Sequence, residues 1–195
     1  IEKNEEFETL LNKKITLTGK NAVFSLNHDV INLAGIVGGK STSCSTDTKT
    51  VIVECAFFQP EAIIGKSVKY GIQSEASHKF ERGVDPECHD KVLRRFIKLI
   101  SEHANIQNMS IISYEYKNNP IHQIPVNSYK INQIIGINIT ENKYLNYLSK
   151  LKFVIDKDTI KVPSFRNDVK TQNDLAEEVA RVIGYDNIPT SEISI

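Results

Sequence analysis

From residue 14 to residue 58, short apolar runs alternate with turn-forming residues: ITLTG, AVFSLN, VINLAGIVGG and VIVECAFF. Runs rich in β-branched and aromatic residues, bounded by turn signals, fit strands, so the pattern predicts a mixed or antiparallel sheet. The period then changes. Pro60 can open a helix that Gly71 ends after Tyr70, and Asp85 followed by Pro86 supplies a cap and first-turn pair for a longer helix reaching Ala104. On that helix Val92, Leu93, Phe96, Ile97 and Ile100 share one face, with Lys91, Arg94, Arg95 and Lys98 on the other.

The segment YKNNPIHQIP, Tyr116 to Pro125, is polar and proline-bearing with little to bury. It predicts a linker over 117–124 between one domain at 1–116 and a smaller one at 125–195. In the smaller domain VNSYKINQIIGI reads as a short helix and ITENKYLNYLSKLKF as a second, capped by Thr140. FVIDKDTIKVP reads as a hairpin turning at Asp156 to Asp158, and NDLAEEVARVIGY as a closing helix. Helix, helix, hairpin, helix is a winged-helix-like outline, so the expected fold class is α+β: a sheet domain followed by a small winged-helix-like module. Such modules serve nucleic-acid and plain protein contacts alike, and the outline selects neither.

Charge narrows the partners. The 195 residues carry 24 basic and 24 acidic side chains, so nothing drives bulk attraction to nucleic acid, and such a partner would be held by a local patch. Cys44, Cys55 and Cys88 are odd in number and lack CxxC spacing, which suggests neither a disulfide framework nor a thiolate zinc site and fits a reducing cytosol. No apolar run approaches the length of a membrane span, and the charged N-terminal stretch is unlike a signal peptide.

Four stretches could carry chemistry. In LAGIVGGKST, Ala34, Gly39, Lys40 and Ser41 stand at P-loop spacing, but a P-loop lysine must lead into a helix. The following SCSTDTKT favours turns, so the motif reads as a glycine-rich turn between strands. Glu54 lies within VIVECAFF, where a carboxylate is costly without a partner: it is either a salt-bridged or strand-edge residue, or a pocket carboxylate that recognises a ligand hydroxyl. YGIQSEASHKFERGVDPE sets the small residues Ser74, Ala76 and Ser77 beside His78, Lys79, Glu81 and Arg82, either as a substrate-approach surface or as a loop with internal ion pairs. In FRNDVKTQNDLAEEV, Asp174, Glu177 and Glu178 share a helical face with Asp168 a short loop upstream; they are either hard oxygen ligands for magnesium or acids complementing a helix N-terminus.

Taken in order, LAGIVGG, ECAFFQPEAI, SEASHKFERGVDPE, VPSFRNDV and DLAEEVARVIGYDNIP resemble the beta subunits of bacterial phenylalanyl-tRNA synthetases, over most of the chain from Leu33 to Pro189. Beta subunits of that family are far longer, so the resemblance implies an interior piece: the later part of the editing domain at 1–116, then the winged-helix-like domain. It implies an editing pocket for tyrosine wrongly attached to phenylalanine tRNA, with Glu54 recognising the tyrosine hydroxyl and Gly38, Ser74 and Ala76 lining the wall. A positioned water is the expected nucleophile, since no activated serine or cysteine stands out. The same resemblance implies magnesium at Asp168, Asp174, Glu177 and Glu178, at a contact with the alpha subunit of an α2β2 cytoplasmic enzyme. ATP would be a substrate of the full synthetase and not of this piece. His78 and Lys79 depart from the family's usual tyrosine and arginine, and a pocket histidine is expected upstream of Ile1, since His28 lies in a different context. The alternative to an editing role is a non-catalytic module that docks tRNA or the alpha subunit.

Overall fold

The computed structural model describes residues 4–114 and 121–190, and the chain divides into two compact units, Ile1–Asn105 and Ile106–Ile195. Both are α+β. In the first, β1 (Glu5–Glu8) pairs antiparallel with β2 (Lys14–Leu17), bringing Phe7 opposite Ile15. A second antiparallel sheet follows, made of β3 (Val23–Leu26), β4 (Asp29–Leu33) and β5 (Val37–Gly38) in that order. Asn27 and His28 join β3 to β4 with φ of 50° and 77°, the two left-handed residues that a tight hairpin turn with the native strand twist requires.

The helices of this unit differ from expectation in instructive ways. The single helix expected from Pro60 to Tyr70 is two, α1 (Pro60–Ile63) and α2 (Lys66–Tyr70), because Gly65 between them adopts φ +76°. Gly71 does end α2, at φ +60°. Next comes α3 (Glu75–Arg82), then α4 (His89–Ser101). The start expected for α4 at Asp85–Pro86 is displaced to His89 because the Asp85 carboxylate folds forward to accept from the Glu87 N–H, closing a turn of its own. Phe7, Leu17, Leu33, Ile36, Ile63, Tyr70 and Ile72 form the core of the unit.

VIVECAFF is not a strand. Residues 51–58 join no sheet ladder among the described residues, and Ile52 is 98% exposed. Strand propensity is a preference for a pleated, half-buried setting, and without a neighbour to bond to it does not make a strand. The second half of the segment is partly buried: Cys55 Sγ lies 3.9 Å from the His89 carbonyl oxygen, and the Phe58 ring meets Phe80 edge-on at 4.9 Å and Phe24 at 6.2 Å.

In the second unit, β6 (Gln123–Pro125), α5 (Ser128–Ile135), α6 (Glu141–Lys150), β7 (Val154–Asp156), β8 (Thr159–Lys161) and α7 (Gln172–Ile183) run in the expected order of helix, helix, hairpin, helix, with one added strand. The sheet is antiparallel in the order β6-β8-β7, and Ile160 of β8 faces Ile124 on one side and Ile155 on the other. The linker expected over 117–124 lies outside the described residues as far as residue 120. Its last two residues, Gln123 and Ile124, begin β6, because Ile124 is buried in the core that also holds Tyr144, Leu148, Leu175 and Val179.

Candidate functional site

Three glycines of the 33–42 turn have three different surroundings. Gly35 has φ +69°, and a Cβ there would lie 2.9 Å from both Ile63 Cδ1 and Phe58 Cδ2. At Gly39 a Cβ would stand 2.6 Å from the Ile31 carbonyl oxygen, which the Gly39 N–H itself approaches to 2.8 Å. Gly38 is different: a Cβ there meets nothing within 4 Å. Gly35 and Gly39 therefore serve close packing, and only Gly38 borders open space. The P-loop spacing leads to one 3-10 turn at Lys40–Thr42, and the Lys40 ammonium is held by Glu8 at 2.8 Å.

Ser74 ties this turn to α3. Its hydroxyl accepts from the Ser77 N–H at 3.0 Å and donates to the Ile36 carbonyl at 2.6 Å, while Ser77 Oγ accepts from the Ser74 N–H. The reciprocal capping of S-x-x-S fixes where α3 begins, and the third bond places that start two residues from Gly38 in sequence. The hydroxyl is thereby committed to structure. Beside it a cleft of about 410 Å³ is lined by Ser67, Gln73, Ser74, Ser77, His78 and Arg82, among others. Arg82 donates to the His78 carbonyl at 2.9 Å, and Ser67 donates to Glu81 at 3.2 Å. Ser67 was not among the residues expected from the sequence; the i, i+4 spacing of His78 and Arg82 on one helix was the available signal for their side of the cleft.

Of the four pocket residues expected, Ser74 lines the cleft, whereas Glu54, Gly38 and Ala76 do not. Ala76 sits exposed on the first turn of α3. Glu54 is an exposed residue of the unpaired 51–58 segment, yet the protein atoms around its carboxyl push its pKa above the ordinary 4.5. None of the ion pairs among the described residues includes it, which sets aside the salt-bridge reading.

The four acids expected to hold magnesium stand in different surroundings. Arg166 forks onto Asp168 (Nε to Oδ1 2.9 Å, Nη2 to Oδ2 2.6 Å) and onto Glu178 (Nη1 to Oε2 2.8 Å, Nη2 to Oε1 2.7 Å). Arg181 also donates to Glu178 from one turn away. Asp174 caps α7, accepting from the N–H groups of Lys170 and Thr171 at 2.9 and 2.7 Å, and Glu177 is exposed. Among the described residues no three His, Cys, Asp or Glu side chains converge as a metal site. Guanidinium groups stand against Asp168 and Glu178, and Asp174 is engaged in the cap of α7, so the four acids do not converge on one magnesium position as arranged. The electrostatics agree: the Arg166 hydrogen bonds hold the carboxyls of Asp168 and Glu178 below their ordinary range, and the Lys170 and Thr171 bonds do so for Asp174.

The three cysteines are free thiols, and among the described residues no helix is long and apolar enough to cross a membrane. Comparison with known proteins finds the B3/4 domain over residues 1–105 and the tRNA synthetase B5 domain over residues 124–185. The chain is 35% identical to the phenylalanine--tRNA ligase beta subunits of Psychrobacter arcticus and Methylococcus capsulatus, over 95% and 94% of its own length and 24% of theirs. It is 32% identical to that of Ehrlichia canis over 97% of the chain and 25% of the relative. The chain thus spans about a quarter of the length of the curated relatives it matches. The glycine turn and α3 fall within the first match and α7 within the second, and the chain belongs to the B3/4 domain family, with a tRNA synthetase B5 domain following in the same chain.

Proposed function

We propose that this chain is part of a phenylalanine–tRNA ligase beta subunit and that its first unit contributes to a pocket hydrolysing tyrosine wrongly attached to phenylalanine tRNA. The observation that carries the proposal is the succession of B3/4 and B5 matches in one chain, aligned over 95% of its length with a relative of that name. On this reading the whole protein works in the cytoplasm with an alpha subunit, charges tRNA at the expense of ATP, and discards tyrosine at a separate site. No role is assigned to magnesium.

Tyrosine differs from phenylalanine by one hydroxyl. A pocket with a carboxyl placed for that hydroxyl can favour tyrosine by a factor of about 10⁴, because phenylalanine would leave the acceptor desolvated and unpaired. Glu54 suits this part: its carboxyl is partly desolvated and has no ion pair among the described residues. Gly38 borders open space where an aminoacyl end could lie against backbone. The Ser74 hydroxyl, engaged with Ile36 and Ser77, positions α3 and is not available as a nucleophile. Water therefore attacks the ester carbonyl, releasing tyrosine and the tRNA hydroxyl.

A second reading, docking of tRNA or the alpha subunit without chemistry in this chain, is favoured by the exposed position of Glu54 and by a cleft that contains only Ser74 of the four. Hydrolysis of tyrosyl-tRNA by the 195-residue chain, with phenylalanyl-tRNA as control, separates the two. In the full enzyme Glu54→Ala is expected to leave phenylalanine charging intact while tyrosine accumulates on the tRNA. Clearance of tyrosine at the parental rate would remove Glu54 from the site.

A further inference from the structure

Three lysine ammonium groups are anchored on backbone carbonyls around α2 and the turn after β2. Lys13 Nζ donates to the carbonyls of Tyr70 and Gly71, both at 2.8 Å; Lys66 Nζ donates to the Lys20 carbonyl at 2.6 Å; Lys69 Nζ donates to the Thr18 carbonyl at 2.5 Å. Beneath them the buried Tyr70 hydroxyl donates to Asn21 Oδ1 at 2.9 Å, which locks the turn after β2 against α2. Positions 13, 66 and 69, remote in sequence, thus share one rim.

Carbonyl oxygens fix an ammonium group in place without neutralising it. None of the ion pairs among the described residues involves Lys13, Lys66 or Lys69. Lys40, Lys79 and Arg94 of this unit are paired, with Glu8, Glu75 and Asp90, whereas Lys91, Arg95 and Lys98 on α4 share with the rim the lack of an ion pair among the described residues but have no carbonyl that fixes the charged end there. In a chain with equal numbers of acidic and basic residues, these three fixed ammonium groups keep their charge with no carboxylate at ion-pair distance among the described residues. Between the ammonium groups the surface is Thr18, Gly19 and Gly71, the two glycines at positive φ and without side chains. A phosphate chain needs only fixed point charges and close approach to bare backbone, and these lysines and glycines supply both, although Val68 on the same helix is exposed as well.

We infer that Lys13, Lys66 and Lys69 form a docking rim for the phosphate backbone of an RNA. The inference rests on the tRNA reading above and adds where the RNA is held. Each lysine–phosphate contact contributes about 0.7–0.9 to the slope of log affinity against log salt. With fluorescent tRNA as probe and KCl varied, K13Q/K66Q/K69Q should bind about tenfold more weakly than the parent chain and lower that slope by about two. A K79Q chain, altered on α3, should keep the parental slope. Acetylation of the unmutated chain gives a second readout that does not depend on the variant's folding: tRNA should protect Lys13, Lys66 and Lys69 and leave Lys98 reactive. Equal slopes together with unprotected lysines would overturn the rim while leaving the tRNA reading intact. A parent chain that binds no RNA would overturn both, and tighter binding of polyglutamate than of tRNA would assign the rim to an acidic protein instead.

Discussion

A single methyl group, added in turn at Gly35 and Gly38, separates packing from open space. Gly35→Ala places a left-handed Cβ 2.9 Å from Ile63 and Phe58, so it should lose about 2–3 kcal/mol in urea unfolding. Gly38→Ala meets nothing within 4 Å and should change stability by no more than about 0.5 kcal/mol. Equal losses at the two positions would mean that the space beside Gly38 is filled, and with it the proposed pocket wall. Tyr144 gives a contrasting case in the other unit. Its ring is fully buried, but its hydroxyl has no hydrogen-bond partner among the described residues, and burial pushes its pKa far up. A buried donor without an acceptor destabilises, so Tyr144→Phe should raise stability by about 1 kcal/mol, measured as a higher urea midpoint at unchanged slope.

At the scale of elements, α7 is held to the loop before it by charge. Glu178 is 3% exposed, and removing Arg166 would leave it buried with only Arg181 as counter-charge; Arg166→Met should cost about 3 kcal/mol. Arg166→Met combined with Glu178→Met should recover part of that loss, since no lone charge remains. The pH dependence has a definite sign. Asp168, Asp174 and Glu178 all have folded pKa values below their ordinary 3.8 and 4.5, so their contribution is complete above pH 4.5 and is lost as pH falls through the depressed folded values. Urea midpoints taken from pH 7 to pH 3 should fall more steeply in the parent than in the double variant. Legibility in the sequence follows the same division between local and distant causes. The hairpin at Val154–Lys161, the helix after Thr140 and the closing helix were readable because turn and apolar period lie within a few residues of each other, although the Thr140 hydroxyl makes no capping bond and the cap of α7, Thr171, went unread. The break at Gly65 needed tertiary knowledge, as did β1, whose EEFE buries only Phe7 within the strand, and the failure of VIVECAFF to become a strand. The acids of α7 were found, but their meaning depended on where a single arginine, Arg166, pointed its fork.

Over the whole chain the charges cancel in number but not in place, and its two units carry separate cores, one around Leu17, Ile63 and Tyr70 and one around Tyr144, Leu148 and Leu175. Units with their own cores need not unfold together, so a single stability value does not describe the molecule. Thermal unfolding followed by hydrogen exchange should therefore resolve two transitions, one per unit. Gly35→Ala should lower only that of the first, and Arg166→Met only that of the second. Magnesium provides the sharper test. A cation that binds the folded state at a hundred times its dissociation constant adds about 2.7 kcal/mol and would raise the midpoint of the unit that holds it. Because Arg166 and Arg181 already supply the positive charge at Asp168 and Glu178, exchanging magnesium for a chelator should move neither transition of the parent chain. In Arg166→Gln the same carboxylates lose their main counter-charge, and magnesium should then stabilise the second unit selectively. A magnesium-dependent rise in the parent would show instead that the arginine fork yields to metal.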